Sequence, residues 1–228
     1  AWSYSRVDDD NYGIPNLAYQ NNNVVIGMWR KDWLDNVGIN KIPETIDEMG
    51  DALHKFTYND PDGNGVNDTY GMSGSIAWNT MFVSVFGAYG AMPFNWVKTD
   101  DGKYIYGGLQ DQTVDALRKI TEWYKDGVIH PDFSTDSLSG TAKDKFVNGK
   151  IGYLHGMGGY YDKSDSTAAQ NLVKSLNPKA EVSDTHPPKG PDGKSGGFVW
   201  VWRKMEEISK FIRGKQRYIP PPPRRGWG

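Results

Sequence analysis

The chain has 228 residues, of which 37% are hydrophobic and 13% aromatic, and its formal net charge is -2 at pH 7. These values predict a folded globular protein and argue against a general polyanion-binding surface, so we expect no nucleic acid partner. The chain contains no cysteine. Disulfides, thiolate zinc sites and cysteine nucleophiles are therefore excluded together.

The first predicted elements are a turn, a strand and a helix. Tyr12 to Asn16 is predicted to be a turn, and Asn23 to Gly27 a short buried strand. The following residues, Met28 to Val37, are predicted to be helical, with Gly38 at the position where a glycine commonly ends a helix.

The clearest helix start in the sequence is at Thr45. Glu48 follows it by three residues, which is the spacing of a capping box. Apolar residues then recur at helical spacing: Ile46, Met49, Leu53 and Phe56. This helix leads directly into an acidic loop.

The acidic loop, Asp60-Pro-Asp-Gly-Asn-Gly-Val-Asn-Asp68, has the ligand spacing of a calcium loop. The first, third, fifth and ninth positions of the EF-hand scheme are Asp60, Asp62, Asn64 and Asp68, and the carbonyl of Val66 is at the seventh. The twelfth position, where a sensor EF-hand has a bidentate glutamate, is Gly71. The pattern predicts a structural rather than a signalling calcium site over residues 60–71. A surface turn without metal is the alternative, because Asp, Asn and Gly also form Asx turns.

Helices and short strands continue to alternate after the loop. An amphipathic helix is predicted over residues 114–124, with Val114, Leu117, Ile120 and Tyr124 on its apolar face. A further helix from about Ser139 to Val147 precedes a strand, residues 150–154, which enters the glycine-rich segment 156–159. Residues 187–197 have the composition of a loop. This alternation favours the α/β class.

Several aromatic residues lie beside glycine-rich segments and are candidates for stacking on a ligand. Trp78 follows the acidic loop, Tyr160 follows Gly158-Gly159, and Trp200 follows Gly196-Gly197. Aromatic rings offer flat apolar faces, and glycine lets backbone amides approach a ligand. Packing in the core is the alternative for each of them.

Residues 201–228 differ in composition from the rest of the chain. They contain eight Lys or Arg against two Glu, and the run Ile219-Pro-Pro-Pro-Pro223 predicts an extended polyproline conformation. We therefore divide the chain into an α/β region, residues 1–200, and a basic, proline-rich tail, residues 201–228. The tail is either a plain extension or a ligand for an SH3-like groove.

Catalytic readings find little support in the sequence. The four histidines are scattered without metal-ligand spacing: His54, His130, His155 and His186. A glycoside hydrolase would need two facing carboxylates, and nothing in the sequence selects a pair. That enzyme class stays open as an alternative, beside a calcium-stabilised protein-interaction module.

Five segments in order resemble the family-1 extracellular solute-binding proteins, the receptors of bacterial ABC sugar importers. They are Tyr12-Gly-Ile-Pro15, Trp29-Arg-Lys-Asp-Trp-Leu-Asp35, Pro43-Glu-Thr-Ile-Asp-Glu-Met49, residues 60–71 and Phe146-Val-Asn-Gly-Lys-Ile-Gly152. The alginate-binding members of that family carry a similar calcium loop.

The resemblance implies a periplasmic-binding-protein-like (type II) α/β lobe that binds a sugar or oligosaccharide without changing it. It implies Ca²⁺ held by Asp60, Asp62, Asn64, Val66 and Asp68, and, by analogy with cleft aromatics, ligand stacking by Trp78, Tyr160 and Trp200. Its implied partners are the importer membrane subunits, at an extracellular, cell-surface or periplasmic location. Membrane attachment would be through a lipid anchor that this chain does not contain.

Relative to the two-lobe family, the resemblance covers an incomplete set of elements. The first strands of one lobe and the elements after Trp200 have no counterpart in the sequence. We therefore expect the chain to be part of a longer, non-catalytic receptor.

Overall fold

The computed structural model describes residues 6–7, 10–11, 13–17, 25–74, 82–99, 101–136, 140–157, 162–196 and 203–207. The chain forms two compact units, one built from residues 1–19 and 201–228 and the other from residues 20–200. The sequence-based boundary at residue 200 stays a prediction.

The first unit contains two antiparallel strand pairs. Strand β1, Arg6–Val7, pairs with β2, Asp10–Asn11, and β3, Gly13–Leu17, pairs with β10, Arg203–Glu207. The turn predicted at residues 12–16 was therefore wrong, because Gly13 to Leu17 are extended. Pro15 is tolerated in β3 because a proline, which has no backbone N–H to donate, can occupy an edge strand. The polyproline run, residues 219–223, lies outside the described residues.

The second unit is organised around a four-stranded sheet in the order β5-β8-β4-β9. The strands are β4, Val25–Arg30, β5, Tyr70–Met72, β8, Ile151–Met157, and β9, Val182–Thr185. Strands β5 and β8 are parallel, whereas β4 is antiparallel to both β8 and β9. Helices flank this mixed sheet, so the predicted α/β class is confirmed.

Strand β4 extends further than the sequence indicated. The helix predicted from Met28 begins only at Lys31, as α1, Lys31–Asn36. Met28 and Trp29 are both buried, and they belong to two different hydrophobic clusters. Successive residues of a strand point to opposite faces, so Met28 and Trp29 show that β4 is buried on both faces. Such a strand has consecutive apolar residues instead of alternating ones, and its sequence can therefore be mistaken for that of a short helix.

The hydrophobic cluster on one face of the sheet contains residues from α1 and from three further helices. They are α2, Ile46–Tyr58, α3, Val83–Ala88, and α4, Asp111–Lys125. The capping box of α2 is confirmed, since the Thr45 side chain accepts from the Glu48 backbone N–H while the Glu48 carboxylate accepts from the Thr45 N–H. Trp29, Trp33 and Trp123 are each 1% exposed, as expected for core residues.

Helix α4 buries a face that shares only Ile120 with the predicted one. Its buried residues are Thr113, Ala116, Ile120 and Trp123. Val114, Leu117 and Tyr124 from the predicted apolar face are 44%, 46% and 48% exposed. The size of Trp123 accounts for the shift. Its indole packs against Gly50 of α2, so closely that a Cβ added at Gly50 would lie 3.3 Å from the indole nitrogen.

Two helices pack on the opposite face of the sheet: α5, Thr141–Val147, and α6, Ala169–Leu176. A separate antiparallel hairpin joins β6, Trp96–Lys98, to β7, Tyr104–Tyr106. Short 3-10 helices span Gly107–Leu109 and Pro131–Thr135. Among the described residues, no helix has the length and apolar character required to cross a membrane.

Candidate functional site

The predicted ligand-binding segments follow two parallel neighbouring strands. Met72 at the end of β5 pairs with Tyr153 of β8. Because the carboxyl ends of parallel strands lie at the same edge of a sheet, the chain leaves both strands at that edge, where open α/β sheets bind ligands. The predicted stacking residues Trp78, Tyr160 and Trp200 all lie outside the described residues.

A buried ionic cluster lies at the beginning of the segment that follows β5. The hydroxyl of Ser73 donates to Asp136 Oδ2 at 2.5 Å, and Lys145 Nζ donates to both carboxylate oxygens of Asp136 at 2.7 Å. The side chains of Asp136 and Lys145 are 4% and 17% exposed. Burial acts to raise the pKa of Asp136, but hydrogen bonds from Lys145 and Ser73 outweigh it and hold the pKa below its ordinary value. The cluster joins β5 to the segment before α5.

Asp60 organises the acidic loop through its own backbone and carboxylate. Its backbone is left-handed, with φ of 46°, and its carboxylate oxygens accept from the N–H groups of Asn64 at 3.1 Å and Gly65 at 2.9 Å. Gly63 and Gly65 have φ of 68° and 77°, which a residue with a side chain rarely adopts. The loop is therefore tightly turned, and the Asp60 carboxylate accepts hydrogen bonds from its backbone.

The side chain of Asn64 lies between two of these carboxylates. Its Nδ2 donates to Asp62 Oδ2 at 2.9 Å and to Asp68 Oδ1 at 3.4 Å, while its Oδ1 accepts from the Val66 N–H at 2.7 Å. Burial, a hydrogen bond with the Asp60 carboxyl and the negative charges of Asp68 and Asp60 raise the pKa of Asp62. The negative charges of Asp60 and Asp68 thus act on Asp62 within the loop.

Two contacts from outside the loop hold it in place. Asn36, at the end of α1, donates its Nδ2 to the carbonyl of Pro61 at 2.8 Å. Lys150 donates its Nζ to Asp68 Oδ2 at 2.5 Å. The hydrogen bonds of Lys150 and Asn64 lower the pKa of Asp68. Neither contact has a signal in the sequence, since Asn36 and Lys150 are distant from the loop along the chain.

The donors of the loop match calcium in chemical type. Three carboxylates, a side-chain amide and a backbone carbonyl are the oxygen donors that Ca²⁺ prefers. Within the described ranges, however, no three His, Cys, Asp or Glu side chains are already gathered as a metal site. Calcium binding by the acidic loop therefore stays a prediction.

The similarity of the chain to known proteins extends over most of its length. No family model matches it. It is 30% identical over 175 residues to the polygalacturonan/rhamnogalacturonan-binding protein YtcQ of Bacillus subtilis, a match that covers 75% of this chain and 32% of YtcQ. It is 33% identical over 160 residues to the lipoprotein LipO of the same organism, covering 66% of this chain and 30% of LipO. The chain spans about a third of the length of these curated relatives.

Solved structures share the fold at lower identity. The substrate-binding protein FusA of Streptococcus pneumoniae, in complex with kestose, aligns with a TM-score of 0.63 and 21% identity, covering 89% of this chain and 40% of FusA. The alginate-binding protein AlgQ2, in a structure without calcium ion, aligns with a TM-score of 0.59 and 22% identity, covering 82% of this chain and 37% of AlgQ2. The fold is therefore that of the periplasmic-type solute-binding proteins, matched over part of their length.

Sequence relatives and fold agree on one class of protein. The resemblance to the bacterial extracellular solute-binding proteins, which the five ordered segments predicted, is confirmed by these sequence relatives and by the shared fold. The predicted extracellular, cell-surface or periplasmic location agrees with the name of LipO as a lipoprotein. The roles of Trp78, Tyr160 and Trp200, and the calcium ligands, stay predictions.

Proposed function

We propose that the chain is the carbohydrate-binding part of a receptor for a bacterial ABC importer, with a structural calcium ion and no catalysis. The observation that carries this proposal is the 30% identity over 175 residues to a protein named for binding polygalacturonan and rhamnogalacturonan. The fold shared with FusA, solved with kestose, also supports it. Acidic plant oligosaccharides are therefore the first ligands to test.

The proposed ligand site is at the carboxyl edge of β5 and β8. Trp78 follows the first of these strands and Tyr160 the second, and we assign both, with Trp200, to stacking on sugar rings. Hydrogen bonds from Asn, Asp and backbone groups to hydroxyls would add specificity. The buried cluster of Ser73, Asp136 and Lys145 supports this assignment, because it fixes the backbone just before the segment that contains Trp78.

The proposed calcium ligands are Asp60, Asp62, Asn64 and Asp68 through their side chains and Val66 through its carbonyl. When bound, the ion would neutralise the carboxylates of a loop that joins α2 to β5. A structure of FusA described as an EF-hand mutant, which shares this fold with a TM-score of 0.61, is consistent with such a loop in the fold class. The ion would stabilise the lobe and take no part in chemistry on the sugar.

The proposed partners follow from the receptor assignment. The ABC importer membrane subunits would receive the liganded protein, and membrane association would be peripheral, through a lipid anchor. The name of LipO as a lipoprotein supports the anchoring of the class. No catalytic role is proposed for the carboxylates, and the name of YtcQ describes binding.

A thermal melt tests both parts of the proposal. The chain would be melted in EGTA, in calcium, and in calcium with oligogalacturonides, rhamnogalacturonan fragments or kestose. An ion or ligand at a hundredfold excess over its dissociation constant stabilises the native state by about 2.7 kcal/mol. We expect a rise in Tm with calcium and a second rise with one class of sugar.

Variants locate the sugar site. Trp78→Ala and Tyr160→Ala should abolish the sugar-dependent rise and leave the calcium-dependent rise unchanged. Trp96→Ala is the matched control, because Trp96 is 69% exposed on the β6–β7 hairpin. A chain that responds to calcium but to no sugar would contradict the receptor assignment for this part, and turnover of any oligosaccharide would contradict the absence of catalysis.

A further inference from the structure

Lys150 lies beside the acidic loop because of the strand order. It directly precedes β8, and its carbonyl accepts from the N–H of Tyr70, the first residue of β5, at 2.9 Å. Since Tyr70 follows the loop by two residues, the parallel pairing of β5 with β8 brings Lys150 next to Asp68. The position of this lysine is thus set by backbone hydrogen bonds and not by its side chain.

The ammonium of Lys150 forms an ion pair with Asp68, which is one of the proposed calcium ligands. Its Nζ lies 2.5 Å from Asp68 Oδ2, and the side chains of Lys150 and Asp68 are 47% and 36% exposed. Among the Lys and Arg residues whose side chains the structure describes, no other one forms an ion pair with the loop's carboxylates. Lys150 is therefore the cation that neutralises part of the loop's charge from within the protein.

We propose that Lys150 is an internal competitor of calcium, which holds Asp68 in the metal-free chain and sets the calcium affinity of the loop. The inference rests on the calcium binding proposed above. A divalent ion bound to the carboxylates must either displace the ammonium from Asp68 or bind close to its positive charge. Both cost binding free energy, so a neutral residue at this position should bind calcium more tightly.

The test is calcium titration of the whole chain by isothermal calorimetry and by competition with a chelator. Two unit charges 4 Å apart in water interact by about 1 kcal/mol, and a dication doubles this interaction. Since 1.4 kcal/mol is a factor of ten, Lys150→Met should lower the Kd for calcium by about thirtyfold at low salt. Screening should reduce that difference to about twofold at 1 M NaCl. In EGTA the same variant should melt slightly below the wild type, because the lysine no longer pairs with Asp68.

Two control variants separate charge from structure. Lys150→Arg keeps the positive charge and should retain the wild-type Kd. Lys103→Met removes the same charge from an exposed Lys–Asp pair on the β6–β7 hairpin and should also leave the Kd unchanged. An unchanged or weaker calcium affinity in Lys150→Met, or a difference that does not depend on salt, would overturn the inference. Failure of both wild type and Lys150→Met to bind calcium would instead refute the calcium proposal itself.

Discussion

Lys145 donates to both carboxylate oxygens of Asp136 at 2.7 Å, and this pair is the most buried ion pair among the described residues. Ser73 supplies a third hydrogen bond to the same carboxylate. The pair therefore connects the end of β5, from which the proposed ligand-binding segment begins, to helix α5 on the other side of the sheet.

Removal of Lys145 should destabilise the chain strongly, because Lys145→Met leaves the Asp136 carboxylate buried without its cation. Loss of one partner of a fully buried pair costs about 3–5 kcal/mol of unfolding free energy. We expect about 2–4 kcal/mol for this pair, because Lys145 keeps some exposure. Urea unfolding at pH 7 measures this loss. Lys103→Met, which breaks an exposed pair with Asp101, should cost less than about 1 kcal/mol. Equal losses in the two variants would contradict the importance of burial.

The pH dependence of stability should reveal the same carboxylate. The pKa of Asp136 is lowered in the folded chain, so its contribution is present above the unfolded pKa, near 3.8, and is lost as the pH falls through the folded value. The stability difference between wild type and Asp136→Asn should therefore shrink from pH 5 towards pH 2, by at most about 1.4 kcal/mol per pH unit. Denaturant unfolding at each pH measures it, and a difference that stays constant would contradict the shift.

Asp62→Asn should have opposite effects with and without calcium. The raised pKa of Asp62 means that its stabilising contribution is present at low pH and is lost as the pH rises through the folded value, so the charged form opposes folding at pH 7. In EGTA the variant should melt slightly above the wild type, by ~2 °C, because exposed charges interact weakly. With calcium it should melt lower, because a ligand charge is lost. Asp101→Asn, in the β6–β7 turn, is the control and should respond equally in both buffers.

The face of α4 that enters the core can be tested by a pair of truncations. Ile120 is 8% exposed and Leu117 is 46% exposed. Ile120→Ala should cost about 2–4 kcal/mol through lost burial and a cavity. Leu117→Ala should change stability by less than about 0.5 kcal/mol, as surface substitutions usually do. Chemical denaturation measures both, and a larger loss at Leu117 than at Ile120 would contradict the observed burial of these two residues.

The periodicity of α4 misled because four apolar residues at helical spacing do not specify which side of a helix meets the core. Val114, Leu117 and Tyr124 fit the spacing, yet Trp123 has more apolar surface to bury and contacts α2 instead. The strand β4 was shortened in the prediction for a related reason. A strand buried on both faces lacks the alternation by which strands are recognised in sequence.

Features made by neighbours along the chain were determined by the sequence itself. The capping box joins Thr45 to Glu48, and the turns of the acidic loop join Asp60 to Asn64 and Gly65. Contacts between distant segments were decided only by the tertiary structure: Ser73 bonds to Asp136, 63 residues away, and Lys150 to Asp68, 82 residues away. Local hydrogen bonds depend on residue types at fixed short spacings. The distant contacts depend on which segments lie beside β5, where Met72 bridges to Ile129 and β8 pairs in parallel, and no single segment encodes that arrangement.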